Sequence, residues 1–205
     1  MRDFRRLDTF LNGLAADIYP EAPSEPHLTI TKTIIDGFHR DGILSAGMRV
    51  LDVGCGQGLA LEHFRAIGLT AIGVTFGEDA EICRANGFEI HEADQNFMDF
   101  PDSSFDFLWC RHVLEHSVMP LFTLAEYYRL VKPGGYVYVE VPAPETSAQH
   151  ENNLNHYSVL PHSMWNSLIQ RSKFEIKNSF RFDVQAPCGP DHFWSFLLSP
   201  QKTAV

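Results

Sequence analysis

Between Arg49 and Pro142 the chain alternates between two rhythms. Short, nearly continuous apolar runs give way to stretches in which apolar positions return every three or four residues. Val50 to Val53, Thr70 to Val74, Phe88 to His91, Phe105 to Cys110 and Tyr136 to Val141 read as strands. Runs this short and this apolar suit strands covered on both faces. Leu59 to Ile67, Glu78 to Ala85 and Pro120 to Leu130 read as the helices between them. Gly68 stops the first, and Asn86 with Gly87 stops the second, because these residues tolerate the left-handed backbone common just past a helix end. Lys132 to Gly135 reads as a turn. This alternation predicts an α/β domain whose parallel sheet is covered by helices on both faces.

The flanks read differently. Phe4, Leu7, Leu11, Leu14 and Ile18 fall on one face of an amphipathic helix. Tyr19 to Pro26, with Pro20, Pro23 and Pro26, must break it. A second helix is expected from His27 to Arg40, with Ile30, Ile34, Ile35 and Phe38 towards the core. Ala143 to Ser158 is polar and reads as irregular, and Pro161 to Arg171 as a helix. Phe174 to Phe182 and His192 to Leu198 read as two strands that pair antiparallel at the sheet edge. Nothing resembles a linker, so one domain is expected over 1–205: a helical cap at 1–42, a core at 48–142 and an edge region at 143–205.

Composition narrows the class. A chain of 205 residues that is 44% apolar, with 16 Phe, supports one packed core. A net charge of -10 disfavours a broad nucleic-acid or anionic-membrane surface. Cys55, Cys83, Cys110 and Cys188 form no CxxC pair or zinc spacing and read as free thiols of a reducing compartment. There is no apolar signal core and no apolar stretch of the roughly 20 residues that span a bilayer. A cytoplasmic protein with no membrane partner is expected.

The densest chemical signal is Val50-Leu51-Asp52-Val53-Gly54-Cys55-Gly56-Gln57-Gly58. An apolar strand runs into a turn with glycine at alternate positions. Glycine lets the backbone approach a ligand and adopt positive φ, and the next helix offers free N–H groups. A dinucleotide fingerprint, G-x-G-x-x-G, would need glycine at 59, where Leu59 stands. That argues against a nicotinamide-dependent oxidoreductase. Asp52, two residues before the first glycine, suits a ligand carrying an amino-acid cation.

The segment resembles motif I of the class I S-adenosylmethionine (SAM)-dependent methyltransferases. Ala93-Asp94, Phe100 to Asp106, His112-Val113-Leu114-Glu115-His116 and Leu130 to Gly135 resemble later motifs of that family, in order, from about Met48 to Pro142. The resemblance implies a single doubly wound Rossmann-like domain. Its sheet would be mostly parallel and seven-stranded, with an antiparallel edge strand and an N-terminal helical cap. It implies SAM as cofactor and S-adenosylhomocysteine as product. Asp52 would face the methionine ammonium, and Gly54, Cys55, Gly56 and Gly58 would surround the methionine part. Asp94 would accept from the adenine amino group, with the Gln95 backbone at the ring edge. Cys110 and Arg111 would lie beside the sulfonium. One departure stands out. The family carries an acid at the end of the second strand to hold the ribose, where this chain has Thr75, followed by Phe76. Glu78 or Asp79 could reach back, although charge favourable to a helix start is the preferred reading for both.

Methyl transfer to a hydroxyl needs alignment and a base, and histidine suits the base. His112 and His116 bracket Glu115, while His150, His156 and His162 recur every six residues. His116, His150 and His156 are the candidate catalytic residues. No metal site is expected, because Asn152, Asn153, Asn155 and nearby prolines mark a loop. Glu140, Glu145, Tyr19 and His27 are further rim and cap candidates. The expected activity is transfer of a methyl group from SAM to a small or medium-sized acceptor, with oxygen preferred. N- or C-methylation, or a non-catalytic SAM-binding module, are the alternatives. A monomer or homodimer is expected.

Overall fold

In the computed structural model the described residues are 3–14 and 24–201. They form helices α1 (Arg5–Leu14), α2 (His27–Arg40), α3 (Leu59–Ala66), α4 (Gly77–Ala85), α5 (Pro120–Leu130) and α6 (His162–Arg171). The strands are β1 (Arg49–Val53), β2 (Thr70–Val74), β3 (Glu89–His91), β4 (Phe105–Arg111), β5 (Val131–Pro142), β6 (Phe174–Ala186) and β7 (Gly189–Pro200). Ile18, Tyr19, Pro20 and Pro23, expected to end the first helix, lie outside the described residues.

The strands join one sheet in the order β3-β2-β1-β4-β5-β7-β6. β1 to β5 pair parallel, and β7 runs antiparallel to both β5 and β6. β4 shows why its strands are apolar throughout. Leu108 and Cys110 belong to the core under α5 and α6, with Leu124, Tyr127, Trp165 and Ile169. Phe107 and Trp109 belong to the opposite core, with Ile34, Ile35, Phe38 and Phe64 of α2 and α3. Burial on both faces removes any polar alternation.

Two elements run longer than their sequence pattern suggests. β5 begins at Val131, because Phe105 pairs with Val131 before a bulge, and pairing resumes at Phe107 with Tyr136. Lys132 to Gly135 therefore forms an irregularity inside the strand, with Gly134 at φ 84°. β6 and β7 extend their hairpin to Ala186 and Gly189. Phe180, Phe182 and Val184 lie on one face of β6 and pack against the core. The reversal of strand order falls between β1 and β4, which lie side by side although β1 leads into β2. Open α/β sheets hold their ligands in the crevice at such a reversal.

Candidate active site

A cavity of about 480 Å³ opens at the carboxyl ends of β1, β2 and β4, within the roughly 300–1,000 Å³ of small-molecule sites. Gly54 and Gly56 border it beside Thr75, Phe76 and Asp79. Asp94, Gln95, His112 and His116 line it elsewhere, and Leu11, Asn12 and Leu14 bring α1 against it.

The three motif glycines all have positive φ, 69° at Gly54, 49° at Gly56 and 88° at Gly58, but they serve different ends. A Cβ on Gly54 would lie 2.2 Å from Val113 Cγ2, and one on Gly58 would lie 3.0 Å from Cys83 Sγ. Those two positions make room for the protein's own side chains. Gly58 lies away from the cavity and serves as the left-handed residue before α3. Cys55 is likewise turned away, buried with Leu61, Cys83 and Phe88. Cys55 and Gly58, expected beside the methionine part, do not border this cavity.

Two buried carboxylates stand out. Asp52, at the end of β1, is buried with Oδ2 lacking any hydrogen-bond partner, and burial pushes its pKa well above the ordinary range. A cation alongside would reverse that shift. Asp79 lies in the first turn of α4, is buried, lines the cavity and has Oδ1 unpartnered. Asp79 thus stands in the first turn of α4, where its charge favours the helix start as expected, but it is buried, whereas Glu78 is exposed. Buried carboxylate oxygens seldom remain unpaired. An ammonium and a vicinal diol are the donors that would satisfy Asp52 and Asp79. A ligand of the SAM type carries both, so the residues present fit it.

At the adenine end, Asp94 Oδ1 accepts from the Asn96 backbone N–H at 2.8 Å and side chain at 2.7 Å. The Gln95 side chain is committed to the protein. Its Nε2 donates to the Val113 carbonyl at 3.0 Å, and its Oε1 accepts from the Tyr127 hydroxyl at 2.8 Å. Cys110 and Arg111, expected beside the sulfonium, make their contacts within the protein. Cys110 is fully buried, its Sγ 3.3 Å from the Tyr127 hydroxyl, and burial pushes its thiol up to about 12. Arg111 pairs with Glu140 at 2.7 Å and donates to His27 Nδ1 at 2.9 Å, and it does not line the cavity.

His112, the next residue, does border the cavity. Its left-handed backbone, φ 56°, brings the ring to the cavity between two buried carboxylates. Nε2 lies 3.1 Å from Glu140 Oε1, and Nδ1 lies 3.5 Å from Glu115 Oε1. Burial lowers the His112 pKa, but Glu115 and Glu140 outweigh it, so the ring keeps its proton to higher pH than a free histidine. Burial would raise Glu140, yet Arg111, His112 and Tyr138 hold it down at about 2. His27, below this network, is lowered to about 4 by burial and by the charges of His112 and Arg111.

The expected catalytic histidines separate. His116 lines the cavity, and its Nδ1 lies 2.9 Å from the Asn155 carbonyl. A carbonyl only accepts, so Nδ1 carries the proton and Nε2 the lone pair. His156 stands beside it with ring centroids 4.8 Å apart. His150 turns to Asp191 at 3.0 Å and does not line the cavity. Glu145 is exposed, and Tyr19 lies outside the described residues. Sequence names Asp79 as a residue able to reach back to the ribose, but nothing local to His112 or Glu115 shows that the two meet in a buried network with Glu140.

Comparison with known proteins gives the family of the chain. A family model described as a methyltransferase domain matches residues 29–176. A ubiquinone biosynthesis O-methyltransferase from Thiobacillus denitrificans is 35% identical over 102 residues, 45% of this chain and 44% of that protein. The match thus spans less than half the length of the curated relative. Among solved structures, 1,6-didemethyltoxoflavin-N1-methyltransferase from Burkholderia thailandensis superposes with TM-score 0.68 at 17% identity, over 97% of this chain and 86% of that one. The cyclase SpnF superposes with TM-score 0.69 at 19% identity, over 97% of this chain and 94% of that one. These structural likenesses speak for the fold, and the fold alone does not name a reaction. The match over residues 29–176, together with the glycine bend and the cavity beside it, makes this chain a member of the methyltransferase-domain family.

Proposed function

We propose that the protein transfers a methyl group from SAM to a hydroxyl of a small acceptor in the cytoplasm. One observation carries the reading: Asp52, two residues before the first motif glycine, and Asp79, on the cavity wall in the first turn of α4, each hold a buried carboxylate oxygen with no hydrogen-bond partner. Asp52 would hold the methionine ammonium. Asp79 would hold the ribose hydroxyls, the task for which Thr75 lacks a charge, and Asp94 would hold the adenine amino group. The cofactor supplies an electrophilic methyl group on a sulfonium. Asp79, Glu92 and Asp94 give the cavity an acidic lining that favours such a cation.

Oxygen as acceptor is supported by the O-methyltransferase name of the relative from Thiobacillus denitrificans. It is also supported by His116, whose Nε2 lone pair offers the acceptor's hydroxyl a partner. His112 lies between two buried carboxylates and keeps Glu115 and Glu140 paired. The chain's net charge of -10 favours a small molecule over a nucleic acid.

Titration calorimetry with SAM and with NAD, followed by transfer of labelled methyl groups to a panel of phenols, catechols and amines, tests this reading. Binding of SAM alone and turnover on a hydroxyl are expected. Binding of NAD, or turnover confined to amines, would overturn it.

A further inference from the structure

Beyond its bond to Asn155 and its place beside the acceptor, His116 belongs to a cluster with Glu115 and His156. Glu115, His116 and His156 each offer one ligand atom, and these atoms all lie within 4.8 Å of one another. Glu115 is 1% exposed, and its Oε2 has no hydrogen-bond partner. Its other oxygen, Oε1, faces His112 at 3.5 Å. His156 Nδ1 is also buried and unpartnered. A carboxylate oxygen and an imidazole nitrogen, both buried, unpartnered and of kinds that bind metals, lie in one cluster, and buried polar groups seldom stay unsatisfied.

The scaffold is already braced for such an ion. The Nδ1–H of His116 on the Asn155 carbonyl fixes the ring and leaves Nε2 as the lone-pair nitrogen. Metal-binding histidines are commonly oriented in this way. The loop that carries His156 is tied to the Glu115 segment twice. The Ser158 backbone N–H donates to the Glu115 carbonyl at 2.9 Å, and the Ser158 hydroxyl donates to the Ser117 carbonyl at 2.7 Å. One carboxylate and two imidazoles suit zinc and its first-row neighbours, and three protein ligands leave a position open. His116 lines the cofactor cavity, so the open position has access to it.

We infer that Glu115, His116 and His156 bind a divalent ion of the zinc class at the wall of the cavity, where it takes the acceptor's hydroxyl. This role rests on the methyl-transfer reading, whereas the ion site itself does not. The bound hydroxyl loses its proton to water more readily. Its oxygen then forms the O–CH₃ bond as the S–CH₃ bond breaks, leaving S-adenosylhomocysteine. The ion takes over the task that His116 alone would perform as a base.

The test uses the full chain, stripped with a chelator and titrated with Co²⁺ and Zn²⁺ by calorimetry, with the visible Co²⁺ spectrum as a second readout. One ion per chain is expected, with a spectrum typical of nitrogen and oxygen ligands. His156→Ala should weaken binding at least about 100-fold. Glu115→Gln should do the same, and His156→Ala keeps the test decisive if that buried substitution fails to fold. His162→Ala should bind as wild type, because its ring is bonded to Ser179 and stacked on Phe196. No binding, or binding untouched by His156→Ala, would overturn the inference. SAM titrated into the same preparations separates the two readings. SAM bound without an ion removes the metal site alone. An ion bound without SAM removes the proposed function and leaves the site.

Discussion

Gly54→Ala probes the bend on which the cofactor reading rests, and its cost can be worked out from two independent parts. A left-handed backbone, φ 69° here, costs an L-residue about 1–2 kcal/mol. The new Cβ would also lie 2.2 Å from Val113 Cγ2 and 3.0 Å from Cγ1. Ordinary carbon contacts are about 3.5–4.0 Å, so Val113 must retreat by more than about 1 Å. Overpacking of this kind costs about 1–3 kcal/mol. The sum is about 2–5 kcal/mol, a large part of a typical domain's stability. Val113 borders the cavity, so its retreat intrudes on the ligand. SAM affinity should fall at least about tenfold, which is 1.4 kcal/mol.

Val113→Ala separates the two parts. It removes both Cγ atoms and leaves only the Val113 Cβ, 3.2 Å from the new methyl group. In that background the cost of Gly54→Ala should drop to the backbone part, about 1–2 kcal/mol. A double-mutant cycle by urea unfolding of the four proteins then gives a coupling of about 1–3 kcal/mol. Calorimetry on the same four should recover part of the lost SAM affinity in the double variant. Equal costs in both backgrounds would refute the argument, since Val113 would then not shape the bend.

Asp79→Ala should weaken SAM by about 1–3 kcal/mol, the range for losing hydrogen bonds to a buried group, and Thr75→Asp in that background should restore part of it; an unchanged dissociation constant for Asp79→Ala would place the ribose elsewhere. Glu140→Gln keeps the shape that accepts from Tyr138 at 2.6 Å but strips Arg111 and His112 of their buried counter-charge, so urea unfolding at neutral pH should show a loss of about 3–5 kcal/mol. The sign with pH follows from the depressed value of about 2 for Glu140: its contribution is complete above the unfolded carboxyl value, near 4.3, and is lost as pH falls towards 2. The wild-type stability curve should therefore slope more steeply than that of Glu140→Gln between about pH 5 and pH 2, and parallel curves would show that Glu140 is not held ionised.

Much of the architecture is legible because its cause is local. Strands covered on both faces announce themselves by unbroken apolar runs, as Phe105 to Cys110 does. Asn86 and Gly87 close α4 where their backbone freedom predicts, with Gly87 at φ 80°. The longer extent of β5 was hidden because Lys132 to Gly135 has turn chemistry, and only its pairing with β4 carries the strand through it. The hairpin of β6 and β7 was underestimated because Val184 and Ala186 gain their strand character from the partner strand.

The site divides along the same line. The run of one strand into one turn is set by spacing, and Gly54 and Gly56 border the cavity at that turn. Positions set by the direction of a side chain do not follow from spacing. Cys110, Arg111 and His112 are consecutive at the end of β4, yet they reach three destinations. Cys110 joins the core and Arg111 crosses to Glu140, while His112 swings to the cavity on a left-handed φ that few non-glycine residues adopt. The meeting of Glu115 and His116 with His156 is still less readable. It depends on Ser158 binding the Glu115 and Ser117 carbonyls from a loop that sequence shows only as polar. His150, His156 and His162 recur every six residues, starting in a segment that reads as loop. The fold sends His150 to Asp191 and His162 to Ser179, and leaves His156 to pair with residues 40 positions earlier in the chain. Chemistry at this end of the sheet is assembled by chain crossings, so the residues with most to say about the acceptor are those whose local sequence says least.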